Sequence, residues 1–543
     1  MSAARVPLAN KCSADVQWTM KISGELLIGA HEVATRATFT ATNPATGEPL
    51  TPAFSAAGVA EIDAACQLAA AAFDSFRELS PPRRADFLET CAERILAVGD
   101  LLLARAHEET ALPAARLTGE RDRTVGQLRV FADELRRRHW LGIRIDTSLP
   151  NRAPQPRPEL RQRMVPLGPV AIFGASNFPL AFSVAGGDTA AAFAAGCPVV
   201  VKSHHSHPGT GELVARSLRQ AVELCGLHPG VFSLLSGDSH GVGEALVADP
   251  RIRAVAFTGS RAGGLALQKV AQKRAVPIPI YAEMSSVNPV LILPGAMSAR
   301  GAALGREYVA SLSLGCGQFC TNPGLCLVLN APGVEEFRSS AAAALAELVA
   351  GTMLNRGIHA AFENGVAALA SIAQVTTVAR GLAASGFNGA QAGLFEVSAQ
   401  HFLENGALEQ EIFGPASLIV RCQDKVELLQ VMQAVAGQLT ATIHAVPSDD
   451  ALVAQLLPVL EVKAGRLVFN SWPTGVEVAS GMVHGGPYPA TTDSRATSVG
   501  TRAIERFLRP VCYQNFPERL LPQTLRDAAV ALSPRRVDGD FAA

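Results

Sequence analysis

The sequence lacks the features that mark several large classes of protein. It contains no apolar run approaching the roughly 18 residues that span a membrane, so no membrane partner is expected. Its ten cysteines form no Cys-x-x-Cys pair, which disfavours a zinc ribbon and a disulfide framework, and no metal site is predicted. The 47 basic residues nearly balance the 48 acidic ones, so no net charge attracts nucleic acid.

A secretory signal is also missing from the start of the chain. Residues 1–18 carry scattered polar and charged side chains without a central apolar stretch, and a signal peptide needs such a stretch. Together with cysteines that show no disulfide pattern, this indicates a reducing cytoplasm. Residues 1–19 and 521–543 are expected to be peripheral or flexible.

The composition that is present is that of a large globular protein. With 48% hydrophobic and 17% charged residues over 543 positions, the chain is long enough for two or three domains. After Ala-rich helical segments, short apolar strands alternate with helices, which is typical of an α/β fold with a doubly wound parallel sheet. Strands are predicted at 170–174, 198–202, 231–235 and 254–258 in a first half, and at 288–293, 325–330 and 466–470 in a second half.

A proline-rich excursion precedes this alternating pattern. Residues 140–146 and 160–165 are predicted strands on either side of the Pro-rich stretch 149–158. A hairpin inserted between helices and the next strand would project from the body, and we expect it to serve as an association arm.

The stretch from Ser311 to Gly324 is the candidate catalytic segment. It places Cys320 directly before a Thr-Asn-Pro-Gly turn, and turns of this kind hold side chains at the end of an element, facing a cleft. A thiolate at this position would be a nucleophile if nearby backbone donors lowered its pKa. The alternative is an ordinary packed cysteine, which is how Cys316 and Cys326 are interpreted.

The turn after the predicted strand 254–258 is a candidate phosphate site. Gly259, Ser260 and Gly264 precede a helix, and the amino terminus of a helix offers free N–H groups to phosphate. The glycine spacing is not Gly-x-Gly-x-x-Gly, so a simple tight connection is the alternative.

Two glutamates stand beside apolar or rigid segments. Glu283 lies between two apolar stretches, and Glu411 begins the sequence Glu-Ile-Phe-Gly-Pro. An ionised carboxylate is costly to bury unless it is paired. Each glutamate is therefore an exposed cap or surface group, a paired group, or a group tuned for function.

Six motifs occur in the order found in aldehyde dehydrogenases, and over residues 22–515 the chain resembles that superfamily. The motifs are Ser176-Asn-Phe-Pro179, Val199-Val-Val-Lys202, Phe257-Thr-Gly-Ser260 with Gly264, Glu283-Met-Ser-Ser286, Gly317-Gln-Phe-Cys320 and Glu411-Ile-Phe-Gly-Pro415. The resemblance implies a Rossmann-type cofactor domain, an α/β catalytic domain and a β-hairpin oligomerisation arm, and hence a homodimer or homotetramer. The implied bounds are 20–141 and 164–285 for the cofactor domain, 286–484 for the catalytic domain, and 142–163 and 485–520 for the arm.

The resemblance also implies roles for the catalytic motifs. Cys320 would attack the aldehyde, and Asn177 would stabilise the oxyanion together with the Cys320 N–H group. Glu283 would activate water to hydrolyse the thioester. A catalytically silent cofactor-binding scaffold is the alternative of a different class, and it is disfavoured because all three residues are present.

The cofactor-binding roles follow from the same resemblance. Glu411 and Phe413 belong to the motif that would hold the nicotinamide ribose, and Lys202 would hold the adenosine ribose. NAD-preferring relatives often carry a glutamate where this chain has His205. His205 and His240 could bind a 2′-phosphate, and His240 shares its loop with Gly237. NADP is therefore predicted as the cofactor. The alternative is that both histidines are ordinary surface residues and that the cofactor is NAD.

Three further sequence segments most resemble those of the NADP-linked aldehyde dehydrogenases that act on α-ketoglutaric semialdehyde (2,5-dioxopentanoate). They are Leu117–Arg129, His484–Thr491 and Arg506–Gln514. An α-keto acid tail needs a cation, for which Arg121 and Arg123 are the candidates, although a solvated helix face would also explain them. Phe178 would form a hydrophobic wall. The alternative substrate is a long-chain fatty aldehyde, which would need an apolar tunnel.

Overall fold

The computed structural model describes residues 20–542, so the expectation for residues 1–19 lies outside the described part of the chain. Four short strands and four helices come first. They are β1 (Leu26–Ile28), β2 (His31–Val33), β3 (Thr38–Thr42), β4 (Pro49–Ser55), α1 (Val59–Arg77), α2 (Pro81–Ala97), α3 (Asp100–Thr110) and α4 (Ala114–Arg137). Helix α2 begins at a proline, which suits the first turn because an N–H group there has no helical partner.

Two antiparallel strands follow, β5 (Ile143–Asp146) and β6 (Leu160–Pro166), with the proline-rich excursion between them. The chain then enters a regular alternation of strands and helices. These elements are β7 (Val170–Phe173), α5 (Gly187–Ala195), β8 (Val199–Lys202), α6 (Pro208–Leu224), β9 (Phe232–Leu235), α7 (His240–Ala248), β10 (Ala254–Thr258), α8 (Arg261–Lys273) and β11 (Ile280–Glu283).

These strands form a seven-stranded sheet in the order β11-β10-β7-β8-β9-β1-β2. Strands β7 to β11 are parallel, whereas β1 and β2 extend the sheet antiparallel. The chain leaves β7 towards β8 and β9 and later returns to the other side of β7 with β10. A parallel sheet binds ligands at such a reversal, outside the carboxyl ends of its strands.

A second seven-stranded sheet is built from the following part of the chain. Its region contains β12 (Val290–Ile292), α9 (Pro294–Ser313), β13 (Leu325–Leu329), α10 (Val334–Ala346), β14 (Gly351–Thr352), α11 (Arg356–Ala370), β15 (Thr376–Arg380), β16 (Gly389–Ala390), β17 (Gly393–Ser398), α12 (Ala399–Glu404), β18 (Ala416–Cys422), α13 (Lys425–Ala434), β19 (Gln438–His444), α14 (Asp450–Glu461) and β20 (Ala464–Phe469). The order is β15-β17-β18-β13-β12-β19-β20, and only β15 runs antiparallel to its neighbour.

The carboxyl-terminal segment returns to the strands β5 and β6. It contributes β21 (Leu508–Gln514), α15 (Asp527–Val530), β22 (Arg535–Val537) and β23 (Asp540–Ala542). The result is a five-stranded sheet, β21-β6-β5-β22-β23, in which β22 is parallel to β5. The sequence predicts a peripheral segment from residue 521, but Leu521 and Leu525 are buried in the core beside the first sheet.

Both faces of the first sheet are covered, which explains the continuous apolar runs of its strands. Val170 and Ile172 of β7 face one core, and Ala171 and Phe173 face the other. The second sheet likewise has one core on each face. The α/β class is therefore confirmed. Within residues 20–542, no helix is both long and apolar enough to cross a membrane.

Candidate active site

Cys320 lies in the loop between α9 and β13 and is partly buried. Gly317, just before it, has a φ of +65°. A Cβ atom added at Gly317 would stand 2.3 Å from the carbonyl carbon of Gly414, so only glycine allows this approach in this backbone conformation. The loops that carry Cys320 and Glu411 therefore cross in direct contact.

A buried amide, Asn288, fixes the backbone around Cys320. Its Nδ2 group donates to the carbonyl oxygens of Cys320 and Asn322, each at 2.9 Å. The side-chain oxygen of Gln438, on β19, accepts from the N–H groups of Val287 and Asn288 at 2.8 and 3.0 Å. This network ties the loop after β11 to the cysteine loop and to the second sheet.

Three functional groups meet at the cysteine. The Nε2 atom of His484 lies 2.7 Å from Oε1 of Glu283 and 3.4 Å from Sγ of Cys320. Glu283, the last residue of β11, and His484 are both buried. The structure thus brings two predicted catalytic residues together with His484. The sequence analysis singles out the loop that contains this histidine but assigns it no catalytic role.

Ser498 completes the surroundings of Glu283, because its hydroxyl donates to Oε2 of that carboxylate at 2.6 Å. Burial acts to raise the pKa of Glu283, but the contacts with His484 and Ser498 outweigh burial and hold the pKa below its usual value. Burial and the charge of Glu283 raise the pKa of the Cys320 thiol well above its usual value. At neutral pH this arrangement therefore pairs a carboxylate with a protonated thiol.

Asn177 lies beside the cysteine loop, in the segment that joins β7 to α5. Its Nδ2 group donates to the carbonyl oxygen of Gln318 at 3.1 Å. The guanidinium of Arg116, on α4, donates to the Asn177 carbonyl oxygen at 2.7 Å. The same guanidinium lies against the rings of both Phe178 and Phe319, 4.8 and 4.7 Å from their centroids. Helix α4 therefore positions the predicted oxyanion donor.

Glu120 extends this support by one turn of α4. Its Oε1 atom accepts from the N–H groups of Leu180 and Ala181 at 2.8 and 3.0 Å. Its Oε2 atom lies 3.8 Å from Nε of Arg116. The Arg116–Glu120 pair thus binds a carbonyl at one end of the 177–181 segment and two amides at the other end.

The two arginines predicted to bind substrate have different surroundings. Arg123 donates to the Val476 carbonyl and lies 5.6 Å from the centroid of the Phe182 ring. Its Nε and Nη2 atoms are buried without a partner among residues 20–542, and its charge interacts with Cys320. Arg121 instead pairs with Asp122 at 3.1 Å, and the structure does not bring it to the cysteine.

Arg466, on β20, is a second cation near Cys320 that the sequence does not single out. Its guanidinium donates to the carbonyl oxygens of Gly475 and Pro473. Its charge also interacts with Cys320, and its Nε atom is buried with no partner in the described structure. No local motif could have found Arg116, Arg466 or Ser498, because each reaches the site from a segment that has no catalytic motif of its own.

The predicted adenosine end of the cofactor site lies at the carboxyl ends of β8 and β9. Burial lowers the pKa of Lys202, the last residue of β8, to about 8. The exposed His205 ring stacks on His204 with 4.5 Å between centroids, and His240 begins α7. Gly237, between these elements, packs so closely on α7 that an added Cβ atom would stand 2.9 Å from the Val242 side chain.

The predicted phosphate turn lies at the carboxyl end of β10. Ser260 caps α8 by accepting from the N–H group of Gly263 at 3.2 Å, and both Gly259 and Ser260 are exposed. An added Cβ atom at Gly264 would meet Met284 at 2.7 Å, so this glycine lets α8 pack closely on the end of β11. The exposed start of α8 leaves N–H groups available to an anion.

Glu411 and Phe413 line a cavity of about 320 Å³ together with Phe319 and Asn322 of the cysteine loop. Burial raises the pKa of Glu411 to about 7. A carboxyl group in this position, a lysine at a strand end and an open helix amino terminus are the partners that ribose hydroxyls and a pyrophosphate need. The residues therefore fit a nicotinamide dinucleotide.

The comparison with protein families agrees with this arrangement. Residues 32–488 match the family model described as "Aldehyde dehydrogenase family". The chain belongs to the aldehyde dehydrogenase family, and this confirms the resemblance seen in the sequence. It is an enzyme that oxidises aldehydes to carboxylic acids with a nicotinamide cofactor.

Two curated relatives resemble the chain over nearly its full length. The alpha-ketoglutaric semialdehyde dehydrogenase 2 of Azospirillum brasilense is 54% identical over 522 residues, which cover 96% of this chain and 99% of that protein. The alpha-ketoglutaric semialdehyde dehydrogenase of Acinetobacter baylyi is 46% identical, with 95% and 98% covered. These similarities confirm that the chain is most like the semialdehyde group.

Solved structures share the fold at lower identity. A 1-pyrroline-5-carboxylate dehydrogenase superposes with a TM-score of 0.77 at 22% identity, covering 90% of this chain and 92% of that one. An NADP-dependent enzyme of E. coli superposes with a TM-score of 0.76 at 22% identity, covering 90% and 98%. Both confirm the aldehyde dehydrogenase-like fold.

Proposed function

We propose that the enzyme oxidises α-ketoglutaric semialdehyde (2,5-dioxopentanoate) to 2-oxoglutarate and prefers NADP. The observation that carries this proposal is the 54% identity to a relative named for that substrate, over 99% of its length. Pocket residues usually change when the substrate class changes, so similarity over the whole chain favours a shared substrate.

Cys320 is the nucleophile in this proposal. Its thiol hydrogen leaves towards the Glu283–His484 pair, both of whose groups lie within hydrogen-bonding reach, and its sulfur forms a bond to the aldehyde carbon. The Nδ2 group of Asn177 and the Cys320 N–H group donate to the oxygen that becomes negative, and Arg116 holds Asn177 in place. A nicotinamide held by Glu411 and Lys202 would supply the hydride acceptor that oxidation of this adduct to a thioester requires.

Glu283 then acts as the base that activates water against the thioester. The pKa of Glu283 is held below its usual value, so the thiol proton passes on to solvent and the carboxylate is ionised again, able to accept a proton from water at neutral pH. His484 holds one oxygen of the carboxylate and Ser498 holds the other. His484 is therefore assigned to both half-reactions, since its Nε2 atom lies between the base and the nucleophile.

Arg123 and Arg466 are proposed to bind the substrate carboxylate. Both interact electrostatically with Cys320, and both retain buried N–H groups without a partner in the described residues. Buried donors of this kind favour a ligand that supplies acceptor oxygens. Phe178 and Phe319, stacked on Arg116, would pack against the carbon chain.

Kinetics with paired substrates test this assignment. We expect kcat/KM for 2,5-dioxopentanoate to exceed that for a long-chain fatty aldehyde by orders of magnitude, and the opposite order would favour the fatty aldehyde alternative. Arg123→Gln should lower kcat/KM for the semialdehyde by about 10–100-fold, the value of a charged hydrogen bond. The same variant should leave an uncharged short aldehyde unaffected, and Arg121→Gln on the same helix serves as the matched control.

The adenosine end of the cofactor site supports NADP through its hydrogen-bond donors. Lys202 and His205 stand at the end of β8, and His240 begins the neighbouring helix α7. A 2′-phosphate there would meet positive or neutral donors, and also the acid Asp238, which interacts with Lys202 and His205. Comparing kcat/KM for NADP and NAD on one aldehyde tests the preference, and NAD remains the alternative cofactor.

We also propose the domain division, the assembly and the location. The first sheet with α1 to α8 forms the cofactor domain, the second sheet forms the catalytic domain, and the five-stranded sheet forms the arm that joins subunits into a homodimer or homotetramer. Eight cysteines within residues 20–542, all those of the described chain apart from Cys225, carry free thiols, which favours a reducing cytoplasm. Sedimentation velocity of the purified enzyme measures the assembly.

A further inference from the structure

We propose that Cys320, His484 and Glu283 also form a zinc-binding site that inhibits the enzyme reversibly. Within the described residues, these three side chains are the group of His, Cys and acidic residues whose ligand atoms gather closely enough to hold a metal ion, all within 4.8 Å of one another. A thiolate, an imidazole and a carboxylate are the three ligand types that zinc takes in proteins.

The spacing of the ligand atoms agrees with a tetrahedral ion. With usual zinc bond lengths, a sulfur and a nitrogen ligand stand about 3.6 Å apart, and a nitrogen and an oxygen ligand about 3.4 Å apart. Sγ of Cys320 and Nε2 of His484 are 3.4 Å apart, and Nε2 and Oε1 of Glu283 are 2.7 Å apart. The sulfur–nitrogen edge is already formed, and the His–Glu hydrogen bond needs to open by less than about 1 Å.

The surroundings support the Glu283 carboxylate and the backbone of His484, but they leave the His484 ring weakly supported. Ser498 holds the second oxygen of Glu283 at 2.6 Å, and Thr497 accepts from the His484 N–H group at 2.9 Å. Nδ1 of His484, however, is buried without a partner in the described structure, and it would carry the ring proton when Nε2 binds metal. Missing support of this kind weakens a zinc site by about 10–100-fold, so binding is expected to be reversible.

Zinc at this position would block the chemical steps of the reaction without preventing the cofactor from binding. A metal-bound sulfur is not free to attack a carbonyl, and a metal-bound Glu283 cannot activate water. Lys202, Ser260 and the start of α8 are not ligands, so cofactor binding should persist while turnover is lost.

Direct binding tests the proposal independently of any substrate. The full-length protein is titrated with zinc chloride against a chromogenic zinc chelator, with Cys512→Ser as background because Cys512 is exposed. We expect one zinc per chain, no competition by magnesium, and at least tenfold weaker binding in both Glu283→Gln and His484→Asn. The exposed His139 provides the matched control, His139→Asn. Unchanged affinity in both site variants would refute the proposal, and so would a lack of binding.

A second measurement uses the unsubstituted protein. Zinc should slow the alkylation of Cys320 by iodoacetamide, followed by mass spectrometry of the Cys320 peptide, without changing the alkylation rate of Cys512. A chelator should restore the original rate. Full reactivity of Cys320 under saturating zinc would overturn the site, whatever the identity of the aldehyde substrate proves to be.

Discussion

The chemical side and the cofactor side of the cleft are built in different ways. Glu283 and His484 are buried and hydrogen-bonded to each other across 201 residues of sequence. Lys202 and His205 lie at the carboxyl end of β8 and Ser260 follows the carboxyl end of β10, and all three are at least partly exposed. The chemical side is preorganised by distant segments, whereas the cofactor side leaves groups for a ligand to complete. Substitutions should therefore change kcat on one side and the cofactor KM on the other.

The largest effect is expected at the nucleophile. Cys320→Ala should lower kcat by at least about 10⁴-fold, because no other group in the site can form the sulfur–carbon bond. Cofactor affinity, followed by quenching of protein fluorescence, should stay nearly the same because Lys202, Ser260 and Glu411, the groups assigned to the cofactor, are all retained in the variant. Cys512→Ala, a change of an exposed cysteine, is the control, and turnover of Cys320→Ala within tenfold of wild type would contradict the assignment.

Removal of His484 should shift the pH dependence as well as the rate. We expect His484→Gln to lose about 100-fold in kcat, in the range of a lost acid–base partner. His484 helps to lower the pKa of Glu283, so in the variant that pKa rises and the carboxylate takes up a proton at a higher pH. The acid limb of the kcat profile should therefore move to higher pH.

The control for this experiment is a histidine outside the site, His139→Gln. An acid limb at the wild-type pH in His484→Gln would show that His484 does not tune Glu283. A loss of folding would be recognised by a lower melting temperature, and Ser498→Ala then provides a second route, because Ser498 also lowers the pKa of Glu283.

A smaller loss is expected when the support of Asn177 is removed. Arg116→Met should lower kcat by about 10–100-fold, the value of a hydrogen bond to a charged group, 1.5–3 kcal/mol. If Arg116 acts through Asn177, the same change in an Asn177→Ala background should cost little more. The four enzymes are compared by kcat with a saturating cofactor, and fully additive losses would show that Arg116 acts independently of Asn177.

The smallest effect is expected at the open cofactor edge. His205→Gln should raise the KM for NADP by about 2–5-fold, as for one weakened hydrogen bond to the 2′-phosphate, and leave the KM for NAD unchanged. An equal change for both cofactors would mean that His205 does not face a 2′-phosphate. Lys202→Met should affect both cofactors, since both carry the adenosine ribose.

The difference between the two sides also explains what could be predicted from the sequence. Lys202, Ser260, Glu283 and Cys320 stand at strand ends or in Gly- and Pro-containing turns, so local patterns locate them. The positions of the strands and the α/β class follow from the same alternation, whereas the order in which the strands pair does not. The contacts of Arg116, Arg466 and Ser498 depend on how distant segments pack, and a local pattern carries no information about that packing.

Arg121 and Arg123 show the same limit of sequence-based prediction for two residues on one helix. Both belong to the polar turn of α4, and composition cannot distinguish them. Successive helix positions point about 100° apart, so the two arginines point in different directions: the charge of Arg123 interacts with Cys320, while Arg121 pairs with Asp122. The short strands β22 and β23 lack an alternating apolar pattern, and they form because β5 offers an open edge.

The last 20 residues or so have a practical consequence for anyone who shortens this protein. Without them the backbone of β5 would present unpaired N–H and C=O groups, which invite other chains to add as strands. The hollow left by Leu521 and Leu525 would also expose apolar surface worth about 1.5–3 kcal/mol for each side chain. A chain truncated before residue 521 should therefore aggregate during expression. Affinity tags should be better tolerated when they are added after the carboxyl-terminal segment than when they replace it.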